Sequence, residues 1–412
     1  MKSHAQTVIV GGGIAGASIA YHLARLGRRD VVVLEQGPLV GGTTSHAPGL
    51  VGQLRTSAAL ARMLMHSVAL YRTLSLDGVP GYVGEGSLRL ASSPARWAQV
   101  QQQAEQARSI GLEAHLLGPA ECLRRFPLMD VRGVEGGLFL PTDGSATATV
   151  LAAALIRDAG AAGVEFHPDT KVEAIEVTNG RVQAVRTGRG RVETETLVIA
   201  AGIWSPLVGR LAGVSIPLTP MQHQYAVTEA LPELRGQFVP NLRDPDHLFY
   251  ARQRDDSLVL GGYERTPKPF RVDDISERAD PTVQPFDPRQ LDPILGGAVG
   301  RLPLLKGVGF TRQVNGLESF TPDGEFLLGP APEASGVWVA CGFCAHGVSG
   351  AGGVGQVMAE WIVHGNPGMD LSSMALSRFR GVPLDRTTIE RRACQVYATY
   401  YDIFSGPPAS GS

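Results

Sequence analysis

The run Thr7-Val8-Ile9-Val10-Gly11-Gly12-Gly13-Ile14-Ala15-Gly16, then helix-compatible residues to Leu26, then Val31-Val32-Val33-Leu34-Glu35, constrains this chain more than any other stretch. An apolar strand enters a glycine turn, a helix follows, and a second apolar strand ends in an acid. Gly11 permits the sharp turn, Gly13 lets backbone approach a pyrophosphate, and Gly16 lets helix and strand pack closely. The amides around Ile14 and Ala15, at the positive end of the helix dipole, then face the phosphates. Glu35 stands 19 residues after Gly16, where its carboxylate can accept a bond from a ribose hydroxyl. The unit predicts dinucleotide binding.

A chain of 412 residues exceeds one simple core, so two closely joined domains are expected. The net charge of −2 and the lack of a basic cluster argue against nucleic acid. No run of about 18 apolar residues is present, so no membrane span is expected. Only seven residues precede Val8, too few for a targeting peptide, and the four cysteines suggest no disulfide framework. Cytoplasm is the expected location. Cys341-Gly342-Phe343-Cys344 has redox spacing, but zinc would need a second pair. The pair is read as packing, and no metal is expected.

After Glu35, residues 36–50 form a polar, glycine-bounded loop without helical or strand period. Helical spacing follows over 56–74, an alternating strand at Ser87–Ser92, a polar helix over 94–110 and a short strand near 134–140. Residues 145–160 read as a helix. Lys171–Thr178 and Arg181–Thr187 alternate around Asn179-Gly180, a strong hairpin signal. Leu197–Gly202 reads as a buried parallel strand that brings Ala201 and Gly202 near the cofactor. Further short strands are expected at Gln222–Thr228, His247–Arg254 and Ser257–Tyr263, the last two turning at Asp255-Asp256. A strand at Gly336–Ala340 and a helix from Gly347 to Val363 close the pattern. The expected fold is α/β, with a discontinuous Rossmann-like cofactor domain over 1–80, 143–215 and 311–365. A smaller α+β substrate domain with an antiparallel sheet takes 81–142 and 216–310, and 366–412 is left as a tail.

Four stretches together resemble the FAD-dependent dimethylglycine and sarcosine dehydrogenases and oxidases, within the D-amino-acid-oxidase-like flavoproteins. They are the N-terminal unit, the loop Gly41-Gly42-Thr43-Thr44-Ser45-His46-Ala47-Pro48-Gly49-Leu50-Val51, the segment Met221-Gln222-His223-Gln224-Tyr225 and Ser319-Phe320-Thr321-Pro322-Asp323-Gly324. The similarity runs over almost the whole chain. It implies FAD, held covalently through His46 to the flavin 8α-methyl carbon, with Thr43, Thr44 and Ser45 beside it. Gln36, Val172, Trp204, Gly342, His346, Gly347, Val348 and Ser349 complete the expected cofactor contacts, the last helix turning its positive end toward the reduced flavin.

The reaction so implied takes a hydride from an N-methyl carbon and releases formaldehyde and the demethylated amine. His223 matches an active-site histidine of the oxidase members and shares a strand face with Tyr225 and Val227. Phe249 stands where several relatives have a tyrosine, so Tyr250, on the opposite face, or Tyr263 is expected to take over its role. Arg55, Arg252 and Arg312 are the candidates for a substrate carboxylate. Oxygen, a quinone or an electron-transfer flavoprotein would reoxidise the flavin. Many relatives continue into a folate-binding domain, whereas this chain ends ten residues after Asp402. A separate folate-binding partner, free release of formaldehyde, or a chain that is a fragment each accommodates that difference. Two further readings are a D-amino-acid or other secondary-amine dehydrogenase with noncovalent FAD, and a regulatory flavoprotein subunit without turnover. His46 speaks against the second.

Overall fold

Thr7–Val10, Val31–Leu34 and Thr196–Ile199 are buried at every residue, which suits strands covered on both faces and paired in parallel. In the computed structural model, which describes residues 1–271, 273 and 283–403, they form the centre of a six-stranded sheet. Its order is Glu165–His167, Val31–Leu34, Thr7–Val10, Thr196–Ile199, Val337–Cys341 and Leu327–Pro330, and only the last pairing is antiparallel. Alternate side chains go to two cores. Ile9, Val31, Val33 and Val198 pack beneath the helices Ile14–Arg25, Ala58–Tyr71, Ala148–Ala161 and Gly347–His364. Val8, Val10, Val32 and Ile199 face a three-stranded sheet built on the Asn179-Gly180 hairpin. Both turn residues have positive φ, as such a hairpin requires.

A second sheet has eight strands. Its order is Phe310–Phe320, Thr219–Thr228, Ser257–Gly262, Phe249–Arg254, Asn241–Asp244, Ser87–Ala91, Gly136–Leu140 and His115–Leu117. One face buries Leu88, Leu90, Phe249, Ala251, Leu258 and Leu260 against the helix Pro288–Arg301. The opposite face carries His223, Tyr225, Arg243 and Tyr250, all of which line the main cavity. The two sheets thus enclose a shared space, with the C-terminal ends of the parallel strands opening into it.

Several expectations shift. Part of the Pro- and Asp-rich segment 264–300 lies outside the described residues. His247 sits in a 3-10 turn, and Leu248 takes a left-handed φ of 61° before the strand begins at Phe249. The loop after Glu35 holds a 3-10 turn, Thr43–His46, and a short strand, Leu50–Val51, paired with Gly144–Ala146. The tail contains a helix, Arg386–Ala398, whose first turn is capped by the Asp385 side chain accepting from Thr388 N at 2.7 Å. Ala393 and Tyr397 anchor it against Met221, Tyr263 and Phe320.

Candidate active site

The cavity has a volume of about 1240 Å³, above the usual span for a small-ligand pocket. At one end, Gly11, Gly13, Ile14 and Ala15 line it where the first strand turns into the first helix. The turn admits no side chain. A Cβ on Gly11, whose φ is 118°, would lie 2.3 Å from the Ala200 oxygen, and one on Gly16 would lie 2.0 Å from the Gly11 oxygen. The residue before the helix, Gly13, supplies no side-chain cap, and the first turn of the helix holds no acid. The helix offers the cavity a positive end suited to phosphate. Glu35 lines the same end. Its carboxylate accepts from Gly12 N at 2.7 Å and Gly37 N at 3.0 Å, and burial raises its pKa despite these bonds. These features fit the diphosphate and ribose of a dinucleotide.

Midway, His46 is 6% exposed and lines the cavity. Its ring packs on Gly316, where a Cβ would come within 2.4 Å of Cδ2. The turn carrying it is pinned to the second sheet by Thr43 Oγ1 donating to the Leu317 oxygen at 2.8 Å. Thr44 Oγ1 accepts from Ile14 N at 3.1 Å, which ties this loop to the helix start. From the other side, Arg252 Nη1 donates to the Pro48 oxygen at 2.6 Å, and Ser349 Oγ to the Leu50 oxygen at 3.2 Å. The helix beginning at Gly347 also starts without a side-chain cap or an acid, facing the cavity with Gly347, Val348 and Ser349.

At the far end a chain of hydrogen bonds runs out of the cavity wall. Tyr250 OH lies 3.0 Å from His223 Nε2, Tyr397 OH lies 2.9 Å from His223 Nδ1, and Tyr397 OH donates to Glu264 Oε2 at 2.9 Å. Because Tyr397 donates to the carboxylate, His223 Nδ1 donates to Tyr397 and Nε2 accepts from Tyr250. Burial, with His46 nearby, lowers the His223 pKa to about 3, so the ring stays neutral. Burial pushes Glu264 up to about 7. The chain can therefore pass a proton from the cavity to a buried carboxylate. Arg55 and Arg243 line the cavity as cations, and Glu318 as a carboxyl.

The expected cofactor contacts Gln36, Thr43, Thr44, Ser45, Val172, Ala201, Gly202 and Trp204 all line the cavity, as do Gly347, Val348 and Ser349. Gly16, Gly342 and His346 lie behind its wall. His346 accepts or donates at 3.2 Å with Tyr400 OH, and Tyr400 is the cavity residue it positions. Of the three candidate arginines, Arg55 reaches the cavity, Arg252 holds the loop carbonyl and Arg312 is exposed. Phe249 belongs to the apolar core, while Tyr250 faces His223. Cys341 and Cys344 are buried thiols whose pKa burial pushes up to about 12, as packing residues rather than reactive thiolates. Sequence reasoning missed Arg243, Glu264, Glu318 and Tyr397. Arg243 shares a face with Tyr250 only through the pairing of neighbouring strands, and the Asp385 cap marks the helix of Tyr397 but not where it docks.

A family model described as DAO, FAD dependent oxidoreductase, matches residues 6–361. The chain is 36% identical to mitochondrial sarcosine dehydrogenase of Mus musculus over 98% of its own length and 44% of that protein. It is 33% identical to mitochondrial dimethylglycine dehydrogenase of Mus musculus over 92% of its length and 44% of that protein. The chain thus spans less than half of these curated relatives. Among solved structures, L-proline dehydrogenase from P. horikoshii superposes with a TM-score of 0.83 at 24% identity, covering 92% of this chain and 99% of that one.

Proposed function

This chain belongs to the DAO family of FAD-dependent oxidoreductases, whose model spans residues 6–361, and as a member acting on amines we propose that it demethylates a small N-methylated amino acid. The substrate is of the sarcosine or dimethylglycine type, and the products are formaldehyde and the demethylated amine. The relatives named sarcosine and dimethylglycine dehydrogenase support this substrate class. The observation that carries the reading is one cavity whose walls bring His46, His223 and Tyr250 opposite the Gly11 turn.

FAD, when bound, supplies the acceptor for the hydride leaving the carbon beside nitrogen. The Gly11–Ala15 turn and Glu35 would hold its nucleotide, Thr44 and Trp204 would lie beside it, and His46 would tether it. Arg55 and Arg243 take the substrate carboxylate through charge-assisted bonds. The nitrogen must be neutral when its C–H bond breaks, so a proton has to leave. Tyr250, already donating to His223, keeps lone pairs for that proton while its own moves through His223 and Tyr397 toward Glu264. Oxygen, a quinone or an electron-transfer flavoprotein takes the electrons onward, and a separate folate-binding partner is one fate for the formaldehyde.

Anaerobic mixing with sarcosine and dimethylglycine tests the reading. Bleaching of the flavin band together with formaldehyde in the product is expected. Bleaching by D-alanine or proline instead, with flavin lost on acid precipitation, would assign a noncovalent amine dehydrogenase. No bleaching by any amine would leave only a non-catalytic subunit.

A further inference from the structure

Glu318 is a carboxyl outside the hydrogen-bond chain from Tyr250 to Glu264. It lies on the strand Phe310–Phe320 on the same face as Gly316, two residues on, and so about 7 Å along the strand from the place where His46 packs. Its side chain is 17% exposed and lines the cavity. Its Oε1 is buried without a hydrogen bond among the described residues, and His223 Nδ1 is 3.6 Å away. Among the described residues, the titratable groups facing it are His223, Tyr250, Tyr263, Glu264, Cys344 and Tyr397. None of these is a cation near neutral pH, because His223 is held neutral and the others are acids. A carboxylate so placed costs desolvation, and none of these described groups offers a positive charge to offset it.

The walls around it are aromatic. His223 and Tyr263 have ring centroids 4.8 Å apart, Tyr263 stacks on Tyr400 at 3.9 Å, and Tyr263 meets Tyr397 edge-on at 4.9 Å. Tyr250, Tyr263 and Tyr400 line the cavity itself. Aromatic faces grouped around one carboxyl recognise a methylated ammonium, whose charge is spread over its methyl groups.

Resting on the amine reading above, we propose that Glu318 and the Tyr250–Tyr263–Tyr400 wall form a subsite for the substrate's methylated ammonium. Arg55 and Arg243, on the other side of Tyr263 and Tyr400 from Glu318, are left to take its carboxylate, close to the same tyrosines. Burial pushes the free Glu318 carboxyl up to about 8, with Glu264 adding to the effect. It is therefore mostly protonated at neutral pH, and an arriving ammonium favours the ionised form. Binding of a permanently charged ammonium must then release a proton from Glu318–COOH to solvent, leaving an ammonium–carboxylate pair. Glu318 acts as a specificity residue here, separate from the proton path through Tyr250.

The test uses the FAD-loaded protein and two ligands of one shape. Trimethylglycine carries a quaternary nitrogen that cannot titrate, and 3,3-dimethylbutanoate replaces that nitrogen with carbon. Binding is followed by perturbation of the flavin spectrum and by calorimetry in buffers of different ionisation heat. The expected result is tighter binding of trimethylglycine as pH rises toward 8, with release of up to one proton below that pH. The carbon analogue should bind without that proton release. In Glu318→Gln the preference for trimethylglycine at pH 9 should fall about thirtyfold or more, with the analogue binding no more weakly than to the wild type. Equal affinity of the two ligands for the wild type, a pH-flat affinity for trimethylglycine, or no binding of it would overturn the assignment. The wild-type comparison stands without the variant. It also needs no turnover, so a failure to oxidise N-methyl amino acids would count against the proposed function alone.

Discussion

Replacing Gly316 with alanine puts a methyl group 2.4 Å from His46 Cδ2 and 2.8 Å from Nε2. Carbon contacts become favourable only at about 3.5 Å, so the ring must retreat by about 1 Å. Gly316 has little freedom to give way, since its strand pairs with Thr219–Thr228 through the Gly316–His223 register. The His46 backbone is likewise fixed, through Thr43 donating to the Leu317 oxygen. The imidazole is the part that moves. A displacement of about 1 Å at a reacting group costs on the order of 10²-fold in rate, and overpacking costs about 1–3 kcal/mol of stability. On the proposed tether, the flavin remaining with acid-denatured Gly316→Ala should fall to about a tenth or less. Gly296→Ala makes the same change on an exposed helical face with nothing within 4 Å, so it should keep full flavin content. Visible absorbance of the denatured protein and a thermal melt read both effects. Gly316→Ala with stoichiometric attached flavin and the wild-type rate of substrate reduction would refute the reasoning.

Tyr397→Phe removes the hydroxyl between His223 and Glu264 while leaving a fully buried ring in place. It should slow anaerobic flavin reduction by about 10²-fold and cost about 1–3 kcal/mol in a urea titration. Glu264 has a folded pKa of about 7 against an ordinary 4.5. The native state therefore holds a proton that the unfolded chain has lost, and stability falls as pH rises from 4.5 through 7. Glu264→Gln should gain on the wild type over that window, by about 3 kcal/mol at most, while its relay function is lost. Phe249→Tyr places a hydroxyl at a fully buried position among Leu88, Phe126 and Leu260. A loss of about 1–3 kcal/mol with unchanged kcat/KM is expected from melts and steady-state rates. A gain in rate would show that residue 249 reaches the substrate.

What could be read before folding follows from the range of the interactions. The Gly11 turn, Glu35 and the buried strand at Leu197 depend on contacts within a few residues or on strand period alone, and each takes the place its pattern implies. The same period separated Phe249 from Tyr250 and aligned His223 with Tyr225. Arg252 obeys that period too, yet its guanidinium is drawn to the Pro48 carbonyl by a loop 204 residues away. Arg243 escaped notice because its register with Tyr250 crosses a 3-10 turn and a left-handed Leu248, which break the alternation. Glu264 and Glu318 gain meaning only once Tyr397 docks from a helix that 21 residues separate from the α-helix before it. No local signal encodes that docking.

Tryptic mapping of the purified protein decides whether a flavin is tethered at His46 in the cavity between the sheets. Asp30–Arg55 is one uninterrupted tryptic segment with His46 as its only histidine. The account predicts that this peptide carries the flavin, with yellow colour retained after acid precipitation and lost in His46→Ala. The unmodified peptide recovered from fully flavin-loaded, substrate-reducible protein would contradict it.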